Sequence, residues 1–317
     1  MVLQIHCSGN AYEIGYSHGQ QANVQIDGCV AFYTAMFQRT AKLSWAAVQT
    51  TAQDFVPTIQ AKWPEFLEEM QGIADGSGRP LADIVAINNW DWMEEQKENL
   101  VLVHIAQPGR PSIKYLAEAG LIGKIGLNSK GVGVCLNAIR AHGVDRNRLP
   151  VHLALRLLLN AESMSAARQA LEKDGVAASC HILLGDGTGA VGLECSHLDI
   201  LALTLSDRKR IYHANHFLLD HPGVVDTNWL PDSITRTKRI EELADGVTSE
   251  VNMATLQDLF RDETKELGCI CRSRTGPDTA STLFNIVMDL TNATAEVLMG
   301  RPSAPDEKIT LAFGASH

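Results

Sequence analysis

Trp90-Asp91-Trp92 places one aspartate between two of the chain's five tryptophans, directly after the pair Asn88-Asn89. A carboxylate held between aromatic walls can orient an amine or polarise a substrate. The plainer reading is a strand-to-loop junction in which Asp91 hydrogen-bonds nearby backbone. Thiols are the second source of chemistry. Asp27-Gly28-Cys29 contains a Gly-Cys bond, the kind that self-processing enzymes cut to free a cysteine. The released α-amino group, with an ordinary pKa near about 8, then serves as base for its own thiol. Here the string lies within helical periodicity, which favours a small residue on a helix. Cys135 is expected mid-strand and buried. Cys269-Ile270-Cys271 alternates across an expected strand, so its thiols point opposite ways and read as structural.

Two imidazoles occur in His213-Ala214-Asn215-His216, but no further ligand stands at zinc-like spacing, so a strand end with solvated rings is expected and no metal. GDGTGAVG (185–192) has the glycine content of a phosphate loop. A strand rather than a helix follows it, so a hairpin turn is expected. Neither G-x-S-x-G nor H-E-x-x-H occurs, and no motif calls for a cofactor.

The elements that must position these groups change character along the chain. Residues 11 to about 78 carry helical spacing, with Ile14, His18, Val24, Ala31, Phe32, Ala35 and Met36 recurring at intervals of three, four and seven. A second helical region runs from Trp45 to Phe66 and on to Ala74, and DGSGRP (75–80) reads as a loop. From residue 100 onward, short apolar runs separated by Gly, Asn, Ser or Pro predict a meandering antiparallel sheet. Helical spacing returns at 150–172, where Ser163 or Ser165 is a potential cap, and at 232–262. The end reads as strand, turn, strand, loop, strand. An α+β domain with helices covering layered sheets follows, with no linker or repeat to divide it.

Composition sets outer bounds. The 317 residues are 45% hydrophobic with a net charge of −10, which argues against nucleic-acid or anionic-lipid partners. No secretory signal, apolar membrane span or C-terminal targeting tripeptide is visible, and seven scattered cysteines suit a reducing compartment. A cytoplasmic protein is therefore expected; no pattern speaks to its oligomeric state.

Taken in order, six strings carry a resemblance: YEIGYSHG (12–19), NWD (89–91) followed by KENL (97–100), EAGLIGKIGLNSKGVGV (118–134), HANH (213–216), TLFNI (282–286) and GRPSAPDE (300–307). Together they resemble the fungal acyl-coenzyme A:6-aminopenicillanic-acid acyltransferases. That family is peptidase C45-like and lies within the N-terminal-nucleophile hydrolase superfamily. The resemblance covers nearly the whole chain. It implies an αββα sandwich, two antiparallel sheets between helical layers, as one domain over 1–317. A helical part (1–88) would be followed by a β-rich part (89–317). It also implies self-cleavage at a Gly-Cys bond. The freed cysteine then takes an acyl group from acyl-coenzyme A as a thioester and passes it to an amine, or to water. Carried over, Asp91 would orient the new α-amino group and Asn215 would help form the oxyanion hole, where a preorganised donor is worth about 3 to 4 kcal/mol.

Two departures bear on that implication. Family members carry Asp-Gly-Cys-Thr and a second strand before NWD, whereas here Asn88 runs directly into Asn89, and no cysteine lies between Cys29 and Cys135. Roughly thirty residues, enough for two strands, are absent. The penicillin-making members also have a Ser-Arg pair upstream of TLF, where this chain has Asp278-Thr279. Arg272 and Arg274 lie nearby and are the substrate-binding candidates. Two readings remain open. One is an acyltransferase or amidohydrolase written without its nucleophile segment. The other is a catalytically inactive homologue that binds a ligand or regulates a partner. Catalysis by another residue, such as Cys135 or a serine, is a third and weaker possibility.

Overall fold

The string YEIGYSHG owes its glycines to a backbone contact. In a computed structural model that describes residues 1–88, 94–248, 250–264, 268–273 and 281–313, it forms helix α1 (Ala11–Gln21), started by a capping box between Asn10 and Glu13. Helix α5 (Pro64–Ser77) lies directly against it. A methyl group on Gly15 or Gly19 would overlap backbone of α5, and one on Gly72 or Gly76 would overlap backbone of α1. Only glycine at all four positions lets the helices approach this closely.

Between them run α2 (Asn23–Thr40), α3 (Trp45–Gln53) and α4 (Val56–Lys62), and α6 (Leu81–Ile87) follows. Cys29 lies on helix α2, as its periodicity predicted, and is buried there. The expected loop at 75–80 is shorter than the sequence suggested. Helix α5 continues through Ser77 and ends at Gly78, which takes the left-handed conformation (φ 73°) that closes helices. The run before NWD is also corrected, because Leu81–Ile87 is helix and not strand. Ile84, Val85, Ala86 and Ile87 are all buried. A helix apolar on every side shows no period to betray it. Asn88 then anchors the chain. Its Nδ2 donates to the Ile84 and Gly120 carbonyls (2.8 and 3.0 Å), and its Oδ1 accepts from the Ile122 amide (3.2 Å). Asn89 and Asp91 lie outside the described residues.

The larger sheet has eight strands in chain order: β1 (Leu3–Ser8), β2 (Leu100–Ala106), β3 (Ile113–Glu118), β4 (Ile125–Asn128), β5 (Gly133–Ala138), β6 (Cys180–Asp186), β7 (Gly189–Cys195) and β8 (Ile200–Leu203). Strand β1, unforeseen in the sequence, pairs parallel with β2, while the other neighbours are antiparallel. The expectation of two purely antiparallel sheets therefore fails at this one pair. GDGTGAVG is the β6–β7 hairpin. Helices α7 (Val151–Leu159) and α8 (Met164–Asp174) pack on the sheet's outer face, with Ser163 capping α8. Helices α9 (Ser233–Asp245) and α10 (Met253–Leu259) precede a second sheet of β9 (Phe284–Asp289), β10 (Thr294–Arg301) and β11 (Ala304–Ala312), ordered β11-β10-β9. Residues 268–273 form no strand, so Cys269 and Cys271 do not alternate across one. Cys271 instead packs beside Ser303, with Sγ 3.4 Å from the hydroxyl.

Strand periodicity sorts the core into two. Val101, Val103 and Ile105 of β2 face α1–α8, while Leu100 and Leu102 face the second sheet. There they meet Leu116 of β3, Leu127 of β4, and Ala295, Val297 and Leu311 opposite. Gln257 of α10 donates to Glu296 on the outer side of β10 (2.9 Å), which puts α10 beyond the second sheet. The layers are therefore α, β, β, α: an α+β sandwich. The second sheet covers β2, β3 and β4, and Met288 and Leu290 at its end reach Gly133 of β5 and Gly185 of β6; Cys135, Asn137 and Leu183 on the same inner face stay partly exposed.

Candidate active site

That partly exposed face is the floor of a cavity of about 1200 Å³. Strands β5 and β6 supply Cys135, Asn137, His181 and Leu183, and β9 supplies Phe284, Asn285 and Ile286 along one side. Ile240, Val247, Leu256 and Leu259 from the α9–α10 region make an apolar wall. Asn215, Arg236 and Arg272 close the remaining side. Of the four residues singled out in the sequence, Asn215 and Arg272 thus meet in one cavity. Asp91 and Arg274 lie outside the described residues.

Asn215 is held at both ends of its amide. Arg236, which can only donate, gives Nη2–H to Asn215 Oδ1 (2.8 Å), and this fixes which end of the amide is oxygen. The Asn215 Nδ2 then donates one hydrogen to the Ala138 carbonyl (3.0 Å), and among the described residues no acceptor is seen for the other. The backbone amide of Asn215 donates to Ser233 Oγ (2.6 Å), which also meets His216 Nδ1 (2.7 Å). Arg236 and Arg272 share Asp232, whose Oδ2 lies 3.3 and 3.4 Å from them. Burial pushes the Arg236 pKa down, opposed by Asp232 and reinforced by the charge of Arg272. Two guanidiniums on one carboxylate leave surplus positive charge facing the cavity.

The loop carrying Asn215 is clamped from below by a residue that sequence reasoning missed. Glu194 of β7, fully buried, accepts at Oε1 from His213 Nε2 (2.7 Å) and the Leu218 amide (2.6 Å). At Oε2 it accepts from the Leu219 amide (2.9 Å) and His221 Nε2 (3.2 Å). His213 is accordingly buried, and not a solvated ring at a strand end as expected. It stacks on His181, with centroids 3.6 Å apart. His181 Nδ1 donates to Asn137 Oδ1 (3.0 Å). Burial, with the nearby charge of His213, lowers the His181 pKa to about 2, so this imidazole is neutral. Burial also pushes the Cys135 thiol up to about 12, which removes the thiolate that nucleophilic attack requires. The Cys29 thiol is raised well above its ordinary value for the same reason.

The cavity's charge runs against that of the protein. Among the described lining residues seven are lysine or arginine and none is aspartate or glutamate, in a chain of net charge −10. One of the seven, Lys124, is fully buried and sits 3.5 Å from buried Glu118. Low-dielectric walls focus such a field and favour an anionic ligand.

Comparison with known proteins identifies the family. The family described as "Acyl-coenzyme A:6-aminopenicillanic acid acyl-transferase" matches residues 79–304. The "Acyl-coenzyme A:6-aminopenicillanic-acid-acyltransferase 40 kDa form" of Emericella nidulans is 35% identical over 346 residues, covering 98% of this chain and 96% of the relative. That alignment exceeds the 317 residues here, so at least 29 of its positions (346 less 317) have no counterpart in this chain. A solved penicillin V acylase from Agrobacterium tumefaciens superposes with a TM-score of 0.43 at 14% identity. It is matched over 60% of this chain and 66%, just under two thirds, of the acylase. The chain belongs to the acyl-coenzyme A:6-aminopenicillanic acid acyl-transferase family.

Proposed function

We propose that this chain is an acyl-CoA-dependent N-acyltransferase or amidohydrolase of the penicillin-acyltransferase type, written without the strand that bears its nucleophile. The observation that carries the reading is the cationic cavity over β5 and β6. Surplus positive charge suits the phosphates of an acyl-CoA donor, and the α9–α10 wall suits its acyl chain. In the complete enzyme the acyl carbonyl would accept the second Nδ2 hydrogen of Asn215 as the cysteine thiolate adds to it. Coenzyme A would leave as the thiol, and an incoming amine or water would then take the acyl group from the thioester. Asp91 would hold the α-amino group of the cysteine, and Arg272 with Arg236 would hold an acceptor carboxylate.

Neither Cys29 nor Cys135 stands in for the lost one. The thiols of Cys29 and Cys135 are raised by burial, and Cys29 sits on α2 against the core. The chain as written is therefore expected to remain one 34.5 kDa polypeptide and to form no acyl-enzyme. Intact mass after expression, followed by incubation with radiolabelled acyl-CoA, tests this. Self-cleavage, or a hydroxylamine-sensitive adduct, would sink it. Genomic DNA between the codons for Asn88 and Asn89 separates a skipped segment, which would encode Gly-Cys-Thr, from a seamless junction.

The second reading, a homologue that binds its ligand without turnover, draws on the same cavity, because charge and walls persist without the nucleophile. It predicts a seamless genomic junction together with saturable acyl-CoA binding.

A further inference from the structure

We propose that Arg140 and Trp229 form a phosphate-binding subsite where the cavity opens to solvent, and that the phosphates of a coenzyme A-type donor dock there. This deepens the reading above, on which the identity of the donor rests. The charge balance of the cavity leads to these residues. Five of the seven lining cations sit beside a carboxylate, that of Glu118, Asp245 or Asp232. The other two, Arg140 and Lys209, make no ion pair among the described residues. Both are exposed as well as lining the cavity, so they stand at its opening.

Trp229 turns one of these cations into a site. The Arg140 guanidinium lies over the indole, its carbon 4.6 Å from the ring centroid. A guanidinium held over an aromatic face keeps its in-plane N–H groups for a planar, bidentate acceptor. Trp229 lines the same cavity, and its Nε1–H is buried with no hydrogen-bond partner. Buried donors are nearly always paired, and an indole nitrogen can only donate, so this one calls for an acceptor from outside the chain. A fork of N–H donors, an open indole N–H and a second free cation in the same lining fit an acceptor with several oxygens and more than one negative charge. Phosphate has both.

Backbone contacts hold the pair in place without a ligand. Arg140 follows the end of β5, and its carbonyl accepts from the Thr227 amide and hydroxyl (2.9 and 2.7 Å). Ala141 bridges to Asp226, and the His142 amide donates to the Val225 carbonyl (3.0 Å). Asp226 Oδ1 in turn accepts from the Asn228 amide (2.8 Å), one residue before Trp229. A site fixed in advance loses little to ordering when it binds. Depth separates it from the acceptor's carboxylate. The Arg236 and Arg272 side chains are only 14% and 17% exposed, whereas Arg140 is exposed, as suits the part of a donor furthest from its reacting carbonyl.

The test measures binding to the full 317-residue chain by calorimetry, with four probes: coenzyme A, adenosine 3′,5′-bisphosphate, pantetheine and 6-aminopenicillanic acid. Coenzyme A and the bisphosphate should bind saturably, and more weakly as salt is added. Arg140→Gln should weaken both at least about fivefold, because a charge-assisted contact is lost. Trp229→Phe keeps a ring beneath Arg140 and removes the N–H, so it should weaken both about threefold. Neither change should alter the affinity for pantetheine or 6-aminopenicillanic acid, which a merely structural role would disturb together with the rest. An unchanged urea midpoint confirms that each variant is folded. Coenzyme A binding that ignores both substitutions would overturn the subsite and leave the acyl-CoA reading standing. Bisphosphate binding through Arg140 without any affinity for coenzyme A would uphold the subsite and sink that reading. Loss confined to 6-aminopenicillanic acid would make Arg140 a carboxylate clamp and overturn the assignment, as would the absence of bisphosphate binding.

Discussion

Replacing Glu194 by glutamine keeps the side chain's shape and removes only its charge and one acceptor, so the cost measures how firmly β7 holds the Asn215 loop. The carboxylate accepts four hydrogen bonds, and all four donors lie between His213 and His221. Each oxygen serves one imidazole and one backbone amide. Whichever way the new amide turns, its NH2 faces a Leu218 or Leu219 N–H that cannot change role. An imidazole can shift its proton, but a backbone amide cannot. One amide is therefore orphaned at a buried site, at about 1–3 kcal/mol, and the other three bonds lose their charge assistance. The sum, about 3–5 kcal/mol, matches the cost of breaking a buried charged network. It would consume much of a typical stability of about 5–15 kcal/mol. Urea unfolding at pH 7 should show a lower midpoint with an unchanged slope. Hydrogen exchange should rise selectively at residues 213–221. Burial pushes the Glu194 carboxyl up, but the bonds from His213, Leu218 and Leu219 outweigh it and hold the carboxyl below its ordinary 4.5. A depressed carboxyl gives stability that is complete above the unfolded pKa and lost as pH falls through the folded one. The gap between wild type and E194Q should thus be full at neutral pH and close in acid. A difference below about 0.5 kcal/mol, the size of a surface change, would refute the clamp.

Gly15→Ala gains about 1 kcal/mol in helix propensity, but its methyl overlaps the Glu69 carbonyl of α5. Net destabilisation should appear as a lower melting temperature, because overpacking a rigid contact costs about 1–3 kcal/mol or more. A neutral or stabilised variant would show that the helices can separate freely. His181, with its pKa lowered to about 2, should show no imidazole titration by NMR between about pH 5 and 8, unlike an ordinary histidine. A midpoint near 6.5 would mean that the ring is solvated. Native-state thiol labelling at pH 7.5 should modify Cys269 before Cys135: both are partly exposed, but the Cys135 thiol is pushed up to about 12. Rapid labelling of Cys135 would reopen it as a nucleophile.

The ordered strings from YEIGYSHG to GRPSAPDE were enough to place the chain in its family. The change of texture near residue 100 predicted helices first and layered sheets after. Ser163 was legible as a cap, GDGTGAVG as a hairpin, and Cys29 as a helix residue, because each depends on neighbours within a few positions. Helix α6 was misread because burial on every side erases the period. Strand β1 escaped notice because its partner lies nearly a hundred residues away, and the buried role of His213 was hidden for a similar reason. Glu194 and Arg236 carried no signal at all. One sits in an ordinary strand and the other on an amphipathic helix, and each acquires meaning only through contacts spanning 19 to 27 positions for Glu194 and 21 for Arg236. The sequence alone also raised the expectation of a missing segment at Asn88-Asn89, by the lack of an expected cysteine. Only the tertiary structure brought Asn215, Arg236 and Arg272 together around one cavity, because such a meeting depends on segments far apart in the chain, and no local pattern records it.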